Sequence, residues 1–250
     1  MAQVWKTLTK HLIDSHCHLQ HFTNSAELCE KLENEGVRSH VMTVTPTEFL
    51  SLRERFESES YILHLGYFPL ELSLSKDDES YFALAEDYRY IGEVGLDYTE
   101  EREEERQRQR DFLSAIIELN NQKAKVISLH SRRAVDDLLS LLEKMTQGTA
   151  ILHWLSGTED QVRRALENPH IYFSINPAMI KSRQCKSWLK TLPKERVLTE
   201  TDGPYVKVGG KEASPFDMRA VVESLSLIWD MSLEEALDQL TENWERAVKK

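Results

Sequence analysis

No stretch of this chain approaches the roughly 18–20 consecutive apolar residues that a membrane-crossing helix needs, so no transmembrane span and no membrane partner are expected. The opening residues, MAQVWKTLTK, lack the apolar core of a secretory leader, and no such signal is expected in them. Cysteine is scarce, and the three present, Cys17, Cys29 and Cys185, are scattered. An odd, dispersed set argues against a disulfide framework and fits a reducing, cytoplasmic setting. Positive charge is in deficit: 31 Lys and Arg stand against 42 Asp and Glu, for a net charge of −11. That argues against a broad basic surface wrapping duplex DNA through many phosphates. It leaves room for a nucleic-acid enzyme, because divalent ions supply positive charge locally. No Gly/Ser-rich linker and no internal repeat divide the 250 residues, and one domain over 1–250 is expected.

What the chain does have is rhythm. Eight short β-rich runs recur: LIDSH, VRSHVMTV, YILHLGYF, YIGEVGLD, KVISLH, TAILHW, IYFSIN and RVLTETD. Segments with apolar residues three and four apart lie between them, such as SAELCEKLENEG, AVDDLLSLLEKM and TEDQVRRALEN. Ser25 is placed to cap the first of these, and Asn168-Pro169 to end the last. Strict alternation implies parallel strands with right-handed crossovers. Eight units are the count for a closed barrel, while a doubly wound open sheet obeys the same alternation. Two terminal helices follow, the first opening at Pro215 after Ser214. In EEREEERQRQR (100–110) the acids precede the bases, which suits the dipole of a helix start. There Glu104 and Arg108 are spaced to pair, on either a solvated face or a docking face.

In a parallel barrel, functional groups collect at the C-terminal ends of the strands. Here those ends carry His16 and His18 (first strand), Glu93 (fourth), His130 (fifth), His153 (sixth) and Asp202 (eighth). Singly, each has a plainer role: a packed histidine, a helix cap, or a turn acid before Gly203-Pro204. Jointly, six ligand-type residues ending five of eight strands point to a metal centre. Residues two apart on a strand share a face at roughly 6–7 Å, so His16 and His18 can converge on one ion. Cys17 then faces away and packs. Asp14 shares the histidines' parity, and either orients a ligand histidine or is a buried acid bonded to backbone. A carboxylate can bridge two cations. The expectation is therefore His16, His18 and Asp202 around one ion, His130 and His153 around a second, and Glu93 shared. Two such ions would lower the pKa of water and offset charge on an anionic substrate.

Five segments, IDSHCHL (13–19), YIGEVGLDY (90–98), VISLHSRRAVDDLL (126–139), ILHWLSG (151–157) and RVLTETDGPY (196–205), make the chain resemble the TatD family of metal-dependent deoxyribonucleases. The resemblance runs nearly end to end. It implies a TIM-like (β/α)8 barrel, an α/β fold of the metal-dependent hydrolases. It implies metal ligands at His16, His18, Glu93, His130, His153 and Asp202. It also implies hydrolysis of DNA phosphodiesters, often by 3′→5′ exonuclease action, on single strands or at a 3′ end. The cofactors implied are two divalent ions, Mg, Mn or Zn, and a histidine-rich ligand set suits Zn or Mn better than Mg.

One departure stands out. After its third strand the family typically reads Gly-x-His-Pro, whereas this chain reads GYFP (66–69), with Phe68 where the histidine is expected. His64 lies four residues earlier, roughly 13 Å down the strand, short of the mouth. Phe68 offers no hydrogen bond to phosphate, although it can stack on a base. Asp202 is expected to take the proton of the attacking water, with Glu93 essential and Arg132 offsetting phosphoryl charge or forming a salt bridge. Glu200 either assists or is buried against a core partner. Tyr98 and Tyr205 line a groove or pack at the surface. Two alternatives remain: a metal-dependent deacylase on the same barrel, and a TatD-like subunit of a Qat-type anti-phage complex with protein partners. Glu93, in a slot that a carbamylated lysine fills in many related barrels, favours the phosphodiesterase.

Overall fold

The computed structural model describes residues 8, 12–56, 58–72 and 78–249. Apart from Leu8, the opening segment read for a leader lies outside them. All eight expected strands form: β1 (Ile13–Cys17), β2 (Arg38–Met42), β3 (Tyr61–His64), β4 (Tyr90–Asp97), β5 (Val126–Arg132), β6 (Thr149–Leu152), β7 (Ile171–Ile175) and β8 (Val197–Thr199). Between them run α1 (Ser25–Glu35), α2 (Pro46–Leu52), α3 (Pro69–Leu72), α4 (Asp78–Asp87), α5 (Glu103–Lys123), α6 (Val135–Leu142), α7 (Glu159–Leu166) and α8 (Arg183–Leu189). A hairpin of β9 (Lys207–Val208) and β10 (Lys211–Glu212) precedes α9 (Met218–Trp229) and α10 (Leu233–Lys249). Strand order along the sheets is β1-β2-β3 and β4-β5-β6-β7-β8. β1 pairs with β2, and β4, β5, β6 and β7 pair in succession, all in parallel. No helix of the described residues is long and apolar enough to cross a membrane.

Local chemistry accounts for most boundaries. The cap of α1 is Asn24 rather than Ser25, which is already helical, and Gly36 closes the helix in the left-handed conformation at φ 69°. A capping box starts α7: Thr158 Oγ1 accepts from Gln161 N, while Thr158 N donates to the Gln161 side chain. The charge run 100–110 yields the start of α5, with Glu103, Glu104 and Glu105 in its first turn. There Arg108 donates to Asp78 at 2.8 Å. The hairpin had no counterpart in the sequence reading, because two-residue strands carry no periodicity. Its turn is Gly209-Gly210 at φ 60° and 82°, a pair of left-handed residues that favours glycine.

The chain divides into two compact units. The first comprises Met1–Met42, Arg55–Leu63 and Ser174–Arg246. Its core buries Leu32, Val41, Val197, Val221 and Leu225, each worth about 1.5–3 kcal/mol relative to exposure. Asn243 of α10 donates to the carbonyl of Val197 at 2.8 Å, and the neighbouring Trp244 ring lies 4.1 Å from that of His40. The second unit comprises Thr43–Glu54, His64–Phe173 and Ala247–Lys250. There Phe112, Leu113, Ile116 and Ile117 form the buried stripe of α5, and Phe112 packs its ring against Tyr67 and Tyr81 at 5.4 and 5.1 Å. Gly95 lets β4 close on β5, since a Cβ there would stand 2.1 Å from the carbonyl oxygen of His130.

Two candidate metal centres

In the first unit, three hydrogen bonds bring β1 and His18 beyond it against β8 and the segment that follows. Thr199 Oγ1 donates to Ile13 O (2.6 Å), Asp202 N to His16 O (2.9 Å) and His18 N to Gly203 O (2.8 Å). Asp14 ties the same two segments together: Thr201 N–H donates to its Oδ1 at 2.9 Å, the Thr201 hydroxyl to its Oδ2, and His16 N to its Oδ1 at 3.3 Å. Burial raises the Asp14 carboxyl to about 8, against the lowering effect of those bonds. Of the two roles open to it, backbone anchoring is the one its contacts display. Cys17 is buried with its Sγ 3.5 Å from Gly203 O, as a packing residue.

This arrangement brings His16, His18 and Asp202 together. Both Nε2 atoms lie 3.7 Å from Asp202 Oδ1, and the imidazole centroids are 5.3 Å apart. Asp202 has left-handed backbone at φ 50°, uncommon outside glycine, which turns its carboxylate back toward β1. Its donors fall within 4.8 Å of one another, close enough to hold one ion. The register of β1 on β2 shifts between Asp14 and Cys17, the interval that contains His16. Glu200 is buried against Ser174, which donates to it, and Asn176, whose Nδ2 donates at 3.0 Å. Tyr205 is 55% exposed, and its hydroxyl meets His21 Nδ1 at 2.8 Å.

The second unit gathers Glu93, His130 and His153. His130 Nδ1 lies 2.8 Å and His153 Nε2 3.5 Å from Glu93 Oε1, and the three donors again fall within 4.8 Å. Placements along the strands differ from expectation: His130 lies two residues before the end of β5, and Asp202 lies three residues beyond β8. Glu93 is not at the end of β4 but midway along it, where the register on β5 shifts between Ile91 and Val94. Such an irregularity re-aims a side chain without ending the strand.

The end of β4 is instead Asp97, a residue with no role in the sequence reading. Its Oδ2 lies 3.0 Å from His130 Nε2, and its Oδ1 accepts from Thr99 N (2.8 Å) and Thr99 Oγ1 (2.6 Å). Burial opposes its charge, yet the bonds from His130 and Thr99 prevail and hold the carboxyl down at about 2. His130 is raised in turn: burial disfavours its cation, and the carboxylates of Asp97 and Glu93 outweigh that. With Asp97 accepting at Nε2, the Nδ1 lone pair is left for an ion, the carboxylate–histidine–metal pattern of known sites. The available signal was strand parity, for Asp97 is four residues beyond Glu93 in YIGEVGLDY.

Other expectations resolve individually. Phe68 is half-buried, edge-on to His130 at 4.9 Å. His64 is fully buried, far from solvent, as its strand position implied. Arg132 is exposed two residues past His130 and forms no ion pair with the described residues, so the salt bridge weighed for it is not seen. The Tyr98 hydroxyl donates to Asp137 at 2.5 Å and accepts from Arg110 at 2.9 Å, so this ring is held at the surface. Both three-donor groups fit a divalent ion by chemistry. Each offers two imidazoles and one carboxylate, buried or nearly so, and three protein donors leave a position open for water or substrate.

The TatD related DNase family model matches residues 13–249. The metal-dependent hydrolase YcfH of Escherichia coli (strain K12) is 28% identical over 252 residues, covering 94% of this chain and 94% of that protein. Deoxyribonuclease TATDN3 of Homo sapiens is 26% identical over 259 residues, covering 93% of this chain and 92% of its own length. The crystal structure of YJJV, a TatD homolog from Escherichia coli K12, matches with a TM-score of 0.83 at 20% identity, over 97% of this chain and 99% of that one. A TatD family hydrolase from Entamoeba histolytica matches with a TM-score of 0.76 at 17% identity, over 95% and 97%. The fold is a TIM-like (β/α)8 barrel, which sets aside the open-sheet alternative.

Proposed function

The chain belongs to the TatD-related DNase family, and from that premise we propose that it hydrolyses DNA phosphodiester bonds with divalent ions held by its two ligand groups. The observation that carries this reading is the pair of buried three-donor groups, His16/His18/Asp202 and Glu93/His130/His153. Each takes one ion, two in all, Mg, Mn or Zn. When bound, divalent ions lower the pKa of water and offset charge on phosphoryl oxygens. The chain's own residues supply the rest. Asp202 orients the attacking water and takes its proton. Glu93 and His130 Nδ1 face the same ion position, and Asp97 keeps that ring's hydrogen on Nε2, the nitrogen turned away from the ligand group. Arg132, exposed beyond His130, meets the charge of a phosphoryl oxygen. The preferred substrate is DNA as a single strand or at a 3′ end, shortened from 3′ to 5′. Human TATDN3 carries the deoxyribonuclease name, which supports DNA as the substrate class.

Phe68 supports one narrower reading. Its ring lies against His130 and offers no hydrogen-bond donor. That suits a substrate defined by protein partners, as in a defence complex, rather than plain DNA. The deciding experiment is cleavage of end-labelled single- and double-stranded DNA with Mg²⁺ or Mn²⁺ against EDTA, with His130→Ala alongside. Metal-dependent shortening that the variant loses is the expected result, and the ladder reports polarity. Intact DNA with metal demonstrably bound overturns the nuclease reading and turns attention to partner-defined or acyl substrates.

A further inference from the structure

We propose that Trp154 is a stacking platform for a nucleobase beside the phosphodiester handled at the Glu93, His130 and His153 group. The inference rests on the DNA phosphodiesterase reading and adds the substrate moiety that reading leaves unassigned. A tryptophan ring is among the side chains that gain most from burial. Trp188 and Trp244 are 1% and 4% exposed and Trp229 is half-buried, whereas Trp154 is 38% exposed. It is the residue directly after His153.

The backbone holds the ring there. Trp154 has φ 39°, a left-handed conformation that is an outlier for a bulky side chain and persists only where the surroundings enforce it. Had the chain continued β6 as a strand, residue 154 would have pointed to the face opposite His153. Instead the turn leaves its ring edge-on to the His153 imidazole, with centroids 6.4 Å apart and planes at 77°.

The loop is braced in the residues that follow the ring. Leu155 is 1% exposed and anchors it inward. Three residues further on, the Thr158–Gln161 capping box opens α7, and Gln161 Nε2 donates to Asp136 at 3.0 Å. A platform fixed before binding loses little freedom when a ligand arrives.

The neighbouring rings continue the surface. Phe68 lies 4.9 Å from His130, and His130 lies 6.2 Å from His153. A row of rings therefore leads from half-buried Phe68 across two ligand imidazoles to exposed Trp154. A phosphodiester bound at those imidazoles carries a base on each side, and every base has a π-face. A neutral ring also suits a chain with a net charge of −11, which has little positive charge to spare for holding the strand.

The test is a set of short oligothymidylates in which one nucleotide at a time, on either side of the cleaved bond, is replaced by an abasic analogue. Values of kcat/KM with Mn²⁺ are compared for the wild type, Trp154→Phe, Trp154→Ala and a control, Leu227→Ala, at an α9 residue that is 83% exposed. Stacking worth ~1–3 kcal/mol per base corresponds to a loss of about 5- to 140-fold at one abasic position in the wild type. That factor falls to near one in Trp154→Ala, because the ring that senses the base is gone, and it survives in Trp154→Phe and Leu227→Ala. A structural role would lower all substrates alike and leave the factor unchanged in Trp154→Ala, which overturns the proposal. A wild type indifferent to every abasic position also overturns it, while leaving the nuclease reading intact. A wild type that cleaves none of the oligonucleotides overturns both.

Discussion

The sharpest consequence of the second ligand group concerns a residue that touches no ion. Asp97 accepts from Thr99 through Oδ1 and faces His130 Nε2 through Oδ2, at 3.0 Å. In Asp97→Asn the Thr99 bonds retain the amide oxygen, so the NH₂ group is left against Nε2. Two donors cannot share that contact, and the imidazole answers by moving its hydrogen to Nδ1. Nδ1 is the atom 2.8 Å from Glu93 Oε1, where the ligand lone pair is needed. Loss of such a supporting partner costs roughly 10- to 100-fold in metal affinity, or about 1.4–2.8 kcal/mol. Calorimetric titration with Mn²⁺ should show one of two binding steps weakened by that factor, the other unmoved, and the far-UV spectrum of the ion-free protein retained. Binding within twofold of wild type in both steps would refute the assignment of Asp97 as the residue that orients His130.

Glu93→Gln keeps the shape of the side chain but removes the charge that faces His130 and His153. Its bound metal, measured by elemental analysis, should fall to one ion per chain and turnover should vanish while the fold persists; full activity would discard the role given to Glu93. Phe68→His restores a donor beside His130 and should raise cleavage of plain single-stranded DNA, with unchanged initial rates showing the substitution to be irrelevant. His64 gives a pH test: burial lowers it from 6.5 to about 3. Between those values the unfolded chain binds a proton that the folded chain refuses, so the stability is complete above about pH 6.5 and declines by up to ~1.4 kcal/mol per unit as pH falls. In denaturant melts His64→Gln should lose less stability than wild type between about pH 7 and about pH 4.5, and equal losses would contradict the assignment.

The strands were readable because barrel strands are buried on both sides and stand out as apolar runs; β4 has the bounds YIGEVGLD suggested, Tyr90–Asp97. The six ligand-type residues were readable because they interrupt those runs with polar chemistry. What escaped was set by contacts distant in sequence. The register shift at Glu93 depends on how β4 meets β5, and nothing in the local alternation marks it. Asp14 looked equally suited to orient a ligand, and only its bonds to Thr201, 187 residues away, show what it holds. Asp97 reads as one more strand-end acid until His130 is placed beside it. Trp154 reads as strand until its left-handed backbone is seen.

The most direct test of the account is the number of Mn²⁺ ions bound per chain, by equilibrium dialysis, in the wild type, His18→Ala and His130→Ala. Each substitution removes one donor from one ligand group and leaves the other group whole. The account predicts two ions in the wild type and one in each variant. A wild type that binds none, or variants that still bind two with undiminished affinity, would contradict it.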